Sequence, residues 1–362
     1  MENTFLFDFS VDFSVDSKYK DIIEQNRQKI KKNYDFNHLI SIVSLSLENI
    51  KEPYFVSLSG GVDSMVLLVI LRVFLKKQVV AIHINYNNRE ECILEQEFLE
   101  LFCSKIGTTM FTKEMEFKRS ETDRREYEVL AKKQRFSFYS KIISKYFENI
   151  SDSGIFLGHH KDDSVENIFN NIMNCKNLMD LAVIKDSSSI MGINIFRPFV
   201  SVFKEEVYYF SNYFEIMYFN DTTPEWSMRG HFRNDVFPLI EKYYTSPKQN
   251  LLQVSQQVSE WGSCIEELII KPILDNDIVY NDYNKEFQEV TISYSRLLNC
   301  PESIWNHIIM EVFHKIGHSC PSRKSISNLI GNLKSLKSPK NKNSKYLHRV
   351  ILMKIFIVEI DN

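Results

Sequence analysis

The chain has 362 residues, a formal net charge of −3, and 44% hydrophobic and 25% charged residues. That length suits two domains, and the composition is that of an ordinary soluble protein. The slightly acidic balance excludes a surface that is basic all over. It leaves room for a nucleic-acid enzyme that gathers its positive charge on one face.

The N-terminal stretch MENTFLFDFSVDFSVD is acidic and lacks the basic start of a secretory signal or transit peptide. No run of about 18 apolar residues is present, so no membrane helix is expected. Residues 1–35 hold the short repeat DFSVDFSVD and a charged segment, and are read as an extension. From residue 36 the pattern becomes regular. FNHLISIVSLSLENI has helical spacing, YFVSLS is a buried-strand run, and DSMVLLVILRVFL is a helix apolar almost all round. VVAIHIN is a second strand, and the helix EECILEQEFLELFCSKIG stops at Gly107. A strand near TTMFTKEM, a helix over about 123–147, the strand GIFLGHH and a helix over 162–174 follow. INIFRPFV, KEEVYYFSNYF and IMYFND continue the alternation. This pattern predicts an α/β fold, a parallel sheet flanked by helices. YYTSPKQN at 243–250 reads as a boundary, and LLQVSQQVSEWGSCIEELIIKPIL reads as a connector helix. The expected organisation is an extension over 1–35, a catalytic domain over 36–245, and a connector with a smaller, mostly helical domain over 246–362. Within the latter, residues 323–349 carry eight Lys or Arg and no Asp or Glu.

The six cysteines form no CxxC pair. That argues against a disulfide scaffold, a zinc site or an iron–sulfur site, and for reduced thiols in the cytoplasm.

Chemistry concentrates in SGGVDS, residues 59–64, between a strand and a helix. Ligands of parallel sheets bind beyond the strands' carboxyl ends, and a helix N-terminus attracts anions. Gly60 and Gly61 allow close backbone approach to a phosphate, and Ser59 and Ser64 add hydroxyl donors. Asp63 would repel phosphate unless a cation such as Mg²⁺ stood between them. Neither GxxxxGK[ST] nor GxGxxG spacing is present.

The segment resembles the pyrophosphate loop of the N-type ATP pyrophosphatases (the PP-loop superfamily). Four further stretches resemble the tRNA(Ile)-lysidine synthetases. AIHINYNNREE places His83, Asn85 and Arg89, with Tyr86 where the family has a second histidine. EYEVLAKKQRFSF places Glu128, Lys132 and Arg135 along one helical face. GHHKDDSVENIFNNI crowds His160, Asp162, Asp163 and Glu166 at a strand end. FNDTTPEWSMRGHFRNDVFPLI places Asp221, Arg229, Arg233 and Asn234, with Phe237 where the family has a second arginine.

The resemblance implies a PP-loop ATPase fold and a ligase that adenylates cytidine 34 in the anticodon loop of a tRNA(Ile). The ε-amine of free lysine then displaces AMP. ATP and Mg²⁺ are the implied cofactors. By the resemblance Asp63, His160, Asp162, Asp163 and Arg233 are catalytic, with Asp63 and Asp163 on the metal. Ser59, Gly60, Gly61, Val62, Asp63, Ser64, Ile82, His83 and Arg135 would bind ATP. Glu128, Lys132, Glu166, Arg229 and Asn234 would face the other substrates. The alternatives are a PP-loop tRNA 2-thiolase and an inactive tRNA-binding homologue. The oligomeric state stays open, a homodimer being one arrangement.

Overall fold

The computed structural model describes residues 36–88, 91–115, 124–176, 181, 184–219, 228–284, 287–293, 296–336 and 352–358. The extension over 1–35, Arg89, Asp221 and residues 337–349 of the basic stretch lie outside the described residues. Two compact units divide the chain: residues 1–174 with 182–252, and residues 175–181 with 253–362.

The first unit is built on a six-stranded sheet. Strands β1 (Tyr54–Ser57), β2 (Val79–Asn85), β3 (Thr109–Glu114), β4 (Gly154–Phe156) and β6 (Ile193–Phe196) run parallel, in the order β3-β2-β1-β4-β6-β5. The edge strand β5 (Ser187–Ile190) pairs antiparallel with β6, which departs from an all-parallel sheet. The cause is local. Met191 and Gly192, the two residues between the strands, both have positive φ (52° and 78°), the backbone of a tight hairpin.

Strand residues alternate between two cores because side chains on a strand point to opposite faces. Tyr54, Val56, Val79 and Ala81 join one core, completed by helices α1 (Phe36–Leu45), α2 (Val62–Val69) and α3 (Glu91–Lys105). Phe55, Val80, Ile82, Ile84 and Ile155 join the other, under helix α4 (Arg124–Ile143). Helix α2 is apolar on every side because it is central: Met65 to Val69 are all 0% exposed.

The strand order reverses at β1. The chain passes from β1 to β2 on one side, and returns from β3 to β4 on the other. The crevice between the carboxyl ends of β1 and β4 is therefore the switch point where ligands of such sheets bind. The turn after β1 opens α2, and the turn after β4 opens α5 (Lys161–Met173).

Downstream of the sheet come α6 (Lys204–Tyr213), α7 (Met228–His231), a π-helical segment (Phe232–Val236), α8 (Phe237–Tyr243) and α9 (Pro247–Ile265). Helix α9 begins earlier than its apolar pattern predicts, because Pro247 suits a first helical turn. The second unit has its own core, where Ile273 of α10 (Lys271–Asn276) joins Trp305 of α11 (Glu302–Lys315). Ile326 and Ile330 of α12 (Arg323–Leu336) pack in that core, with Val290 and Ile292 of an antiparallel sheet. No helix among the described residues is long and apolar enough to cross a membrane.

Gly154 lies where β4 is pressed between β1 and β6, and a Cβ there would come within 2.6 Å of the Phe196 ring. Gly154→Ala is expected to destabilise the first unit by about 1–3 kcal/mol, the usual cost of overpacking. A lowered denaturant midpoint for the sheet-bearing unit would show it. An unchanged midpoint would show that the sheet yields freely there.

Candidate active site

Two turns make the site. After β1, Gly60 takes φ +84°, a left-handed backbone that glycine adopts without strain. Its carbonyl accepts a hydrogen bond from Phe219 N–H at 2.9 Å, and a Cβ on it would stand 2.8 Å from the Phe219 ring. Gly61 is the N-cap of α2 and supplies no side-chain cap, so the first-turn amides keep no partner from that residue. This is an anion-binding helix start. Ser59 and Ser64 hold the turn closed: their hydroxyls are 3.1 Å apart, and Ser64 Oγ donates to the Gly61 carbonyl at 3.0 Å. Val62, 3% exposed, anchors the turn in the core.

After β4, Gly158 lets the two turns touch. A Cβ there would lie 2.8 Å from the carbonyl carbon of Asp63 and 2.9 Å from its Cβ. The next residues therefore face Asp63 directly. His160, 2% exposed, has Nε2 3.7 Å from Asp63 Oδ1 and 3.5 Å from Asp163 Oδ2, and Nδ1 3.6 Å from Asp162 Oδ2. Asp163 also caps α5, accepting from His160 N–H at 3.1 Å. Across the crevice, Arg233 in the π-helical segment donates from Nε to Glu166 Oε2 at 3.0 Å and from Nη2 to Asp163 Oδ1 at 3.2 Å. Arg229 Nε stands 2.8 Å from Glu166 Oε1, an ion pair whose alignment leaves that oxygen without a hydrogen bond.

The electrostatics follow from burial and pairing. Burial pushes the Asp63 pKa up, against the pull of His160 and Lys204. Burial also raises Glu166, only partly offset by Arg233 and Arg229. Burial opposes ionisation of Asp162 too, but His160, the Lys204 amide (2.8 Å) and the Lys248 ammonium (2.7 Å) outweigh it. They hold that carboxyl well below its usual range. Burial works against protonation of His160, yet the three carboxylates around it prevail and raise its pKa. Its neighbour His159 is pushed down to about 4 by burial. The carboxylates around His160 thus favour its protonated form, and Asp162, held by Lys248 and the Lys204 amide, is the saturated member of the set.

A family model for the PP-loop domain matches residues 29–240. A tRNA(Ile)-lysidine synthase of Chlamydia felis is 30% identical over 237 residues, covering 64% of this chain and 72% of that protein. Another, from Chlamydia abortus, is 28% identical over 236 residues, covering 65% and 72%. The chain belongs to the tRNA(Ile)-lysidine synthase family of PP-loop proteins. Among solved structures it is similar to the U34-tRNA thiolase NcsA from Methanococcus maripaludis, at 17% identity and a TM-score of 0.47. That likeness covers 62% of this chain and 78% of that one.

Of the residues expected from the family's motifs, Asp63, His160, Asp162, Asp163, Glu166, Arg229 and Arg233 converge. Others stand apart from that cluster. His83 is buried and its pKa is lowered by burial; Nδ1, 2.8 Å from the Leu58 carbonyl, must carry the proton. Ile82 is a core residue whose carbonyl accepts from Leu58 N–H. Glu128 and Lys132 stand on the exposed face of α4, while Arg135 is half-buried and donates to Tyr86 Oη at 3.4 Å. Asn234 is exposed beside Arg233. Phe237, at the family's second arginine, packs with Val165 and Phe232, and Arg229 brings the second guanidinium instead.

Sequence reasoning missed Gly158, Phe219, Lys204 and Lys248. Gly158 had a signal, a glycine between an apolar strand and a polar cluster. Lys248 had none, since only the fold brings it to Asp162.

The donor set fits ATP with Mg²⁺. Asp63 Oδ1 is buried with no hydrogen-bond partner, which suits a cation ligand. Among the described residues no group of three or more His, Cys, Asp or Glu could hold a metal ion unaided. Mg²⁺ takes one or two carboxylates and completes its shell with phosphate and water.

Asp162→Asn is expected to lower the His160 pKa, because burial is then opposed by fewer carboxylates. Protonated His160 adds stability that is full below about pH 6.5 and is lost as pH rises through its elevated folded value. The ionised Asp162 adds stability above about pH 3.9 that is lost as pH falls through its depressed folded value. Proton NMR of the His160 ring should show a midpoint above about 6.5 in the wild type and a lower one in the variant. Equal midpoints would remove Asp162 from this role.

Proposed function

We propose that this chain adenylates cytidine 34 of a tRNA(Ile) with ATP and replaces AMP by the ε-amine of lysine, giving lysidine and releasing AMP and pyrophosphate. The observation that carries this reading is the convergence of Asp63, His160, Asp163, Glu166 and Arg233 beside an uncapped, glycine-opened helix start.

The amides of α2 receive the oxygens of the departing pyrophosphate, on a turn that the Ser59 and Ser64 hydroxyls hold in shape. Asp63 and Asp163 would hold Mg²⁺, which when bound offsets the negative charge of the triphosphate. His83 and the backbone near Ile82 take the adenine end, and Arg135 supports the nucleotide from α4. Glu166, with its raised pKa, suits both tasks lysine sets, pairing with the ammonium and taking its proton, once the ammonium displaces the exposed Arg229 from it. The unperturbed amine would otherwise stay protonated up to about pH 10.4. Arg229 and Asn234 stand exposed at the rim of the cluster, where substrate enters, with Glu128 and Lys132 as further contacts on α4. Residues 36–245 serve as the catalytic domain and 246–362 as the connector and recognition domain. In the latter, Arg323, Lys324 and Lys334 of α12 supply charge for tRNA phosphates.

Incubation of tRNA(Ile) with the protein, Mg-ATP and labelled lysine, followed by nucleoside mass analysis, is expected to yield labelled lysidine. Pyrophosphate release should require both tRNA and lysine. Asp63→Asn should cut that release by about 100-fold or more. Pyrophosphate release that depends on a sulfur donor instead, or no ATP turnover, would overturn the assignment.

A further inference from the structure

A second, larger cavity adjoins the cluster and has no part in the chemistry above. Its volume is about 1170 Å³, against about 270 Å³ for the cavity lined by His160, Glu166 and Arg233. The two share Asp162, Lys204, Tyr208, Glu241 and Lys248, so they are contiguous. The larger one exceeds the roughly 300–1,000 Å³ typical of sites for drug-sized ligands.

Its walls are aromatic and carry three lysines (Lys204, Lys242, Lys248) with three acidic residues (Asp162, Glu205, Glu241). The Tyr208 and Tyr218 rings lie 5.9 Å apart, with Lys204 Nζ 5.4 Å from the Tyr208 centroid. At the rim, Tyr243 and Tyr244 are 71% and 68% exposed, and Lys242 Nζ stands 5.2 Å from the Tyr243 centroid. Two of the acidic groups share one lysine, and the third accepts from a tyrosine. Asp162 pairs with Lys248, Glu241 lies 3.6 Å from Lys248, and Glu205 accepts from the Tyr209 hydroxyl. The exposed rim therefore offers the Tyr243 and Tyr244 rings with the Lys242 ammonium beside one of them. That is the chemistry that holds single-stranded nucleic acid, bases on rings and phosphates on cations.

We propose that this cavity is a stacking cradle for the anticodon-loop nucleotides next to the reacting cytidine, with Tyr243 and Tyr244 as the platforms. The inference rests on the tRNA reading above. A base drawn out of its stack leaves its neighbour without a stacking partner. A tyrosine beside the active site replaces that partner and holds the loop open.

The test uses the full chain and an anticodon stem-loop carrying 2-aminopurine beside cytidine 34, on the 5′ side in one probe and the 3′ side in the other. Binding to the wild type should change the fluorescence of at least one probe. In the Tyr243→Ala/Tyr244→Ala double variant that change should be lost. Its KM for tRNA should rise about tenfold, with the KM values for ATP and lysine unchanged. The corresponding double Phe variant, which keeps the rings, should behave as the wild type. Both tyrosines are exposed, so the Ala variant should melt as the wild type does. Wild-type fluorescence and tRNA KM in the Ala variant would overturn the cradle, as would silence of both probes on the wild type. Absence of lysine-dependent pyrophosphate release from the wild type would instead bring down the functional reading, while the fluorescence still decides the cradle.

Discussion

The site depends on one close approach: the end of β4 meets the first turn of α2 with no side chain between them. Gly158 permits it, since any Cβ there would lie within 3 Å of Asp63 backbone and side-chain atoms. Widen that gap and His160 no longer faces Asp63. The carboxylates on α5 would then separate from the phosphate-binding turn. The sheet makes the approach possible by placing β1 and β4 side by side where strand order reverses. The hydrogen bond from Phe219 N–H to the Gly60 carbonyl steadies the loop from its other side.

Given that geometry, the charges set one another's states. Three carboxylates around one buried imidazole favour a protonated His160, which in turn lets Asp163 stay ionised in a buried place. Asp162 is drawn the other way by Lys248 and the Lys204 amide, and is spent on positioning. Asp63 and Glu166 are the two carboxylates that burial still holds up. Glu166 is paired with Arg229 and Arg233, whereas Asp63 Oδ1 has no hydrogen bond and is the acceptor a divalent ion would satisfy. Arg233 spans Asp163 and Glu166 and keeps these two carboxylates adjacent.

Much of this was legible beforehand for a physical reason. Strand and helix periods show directly in apolar spacing, so the alternation over residues 54–173 and its parallel sheet could be read from the chain. The two polar turns stood out because each interrupts an apolar run at a strand end. Other features were hidden. The hairpin between β5 and β6 depends on two positive-φ residues, Met191 and Gly192, of which only the glycine hints at a turn. Phe237 in place of an arginine looked like a loss. It is a core residue beside Phe232, and the missing charge is supplied from Arg229, eight residues earlier.

By itself, the sequence determined the fold class, the glycine-rich turn after β1 and the acid–histidine motif, because each is encoded in neighbouring residues and their spacing. Tertiary structure alone decided which charged groups share a partner. Lys248 and Asp162 are 86 positions apart, and Arg233 and Glu166 67 apart, yet each pair meets within hydrogen-bond distance. Protonation states follow from those meetings and from burial, both properties of packing, and no local pattern records them.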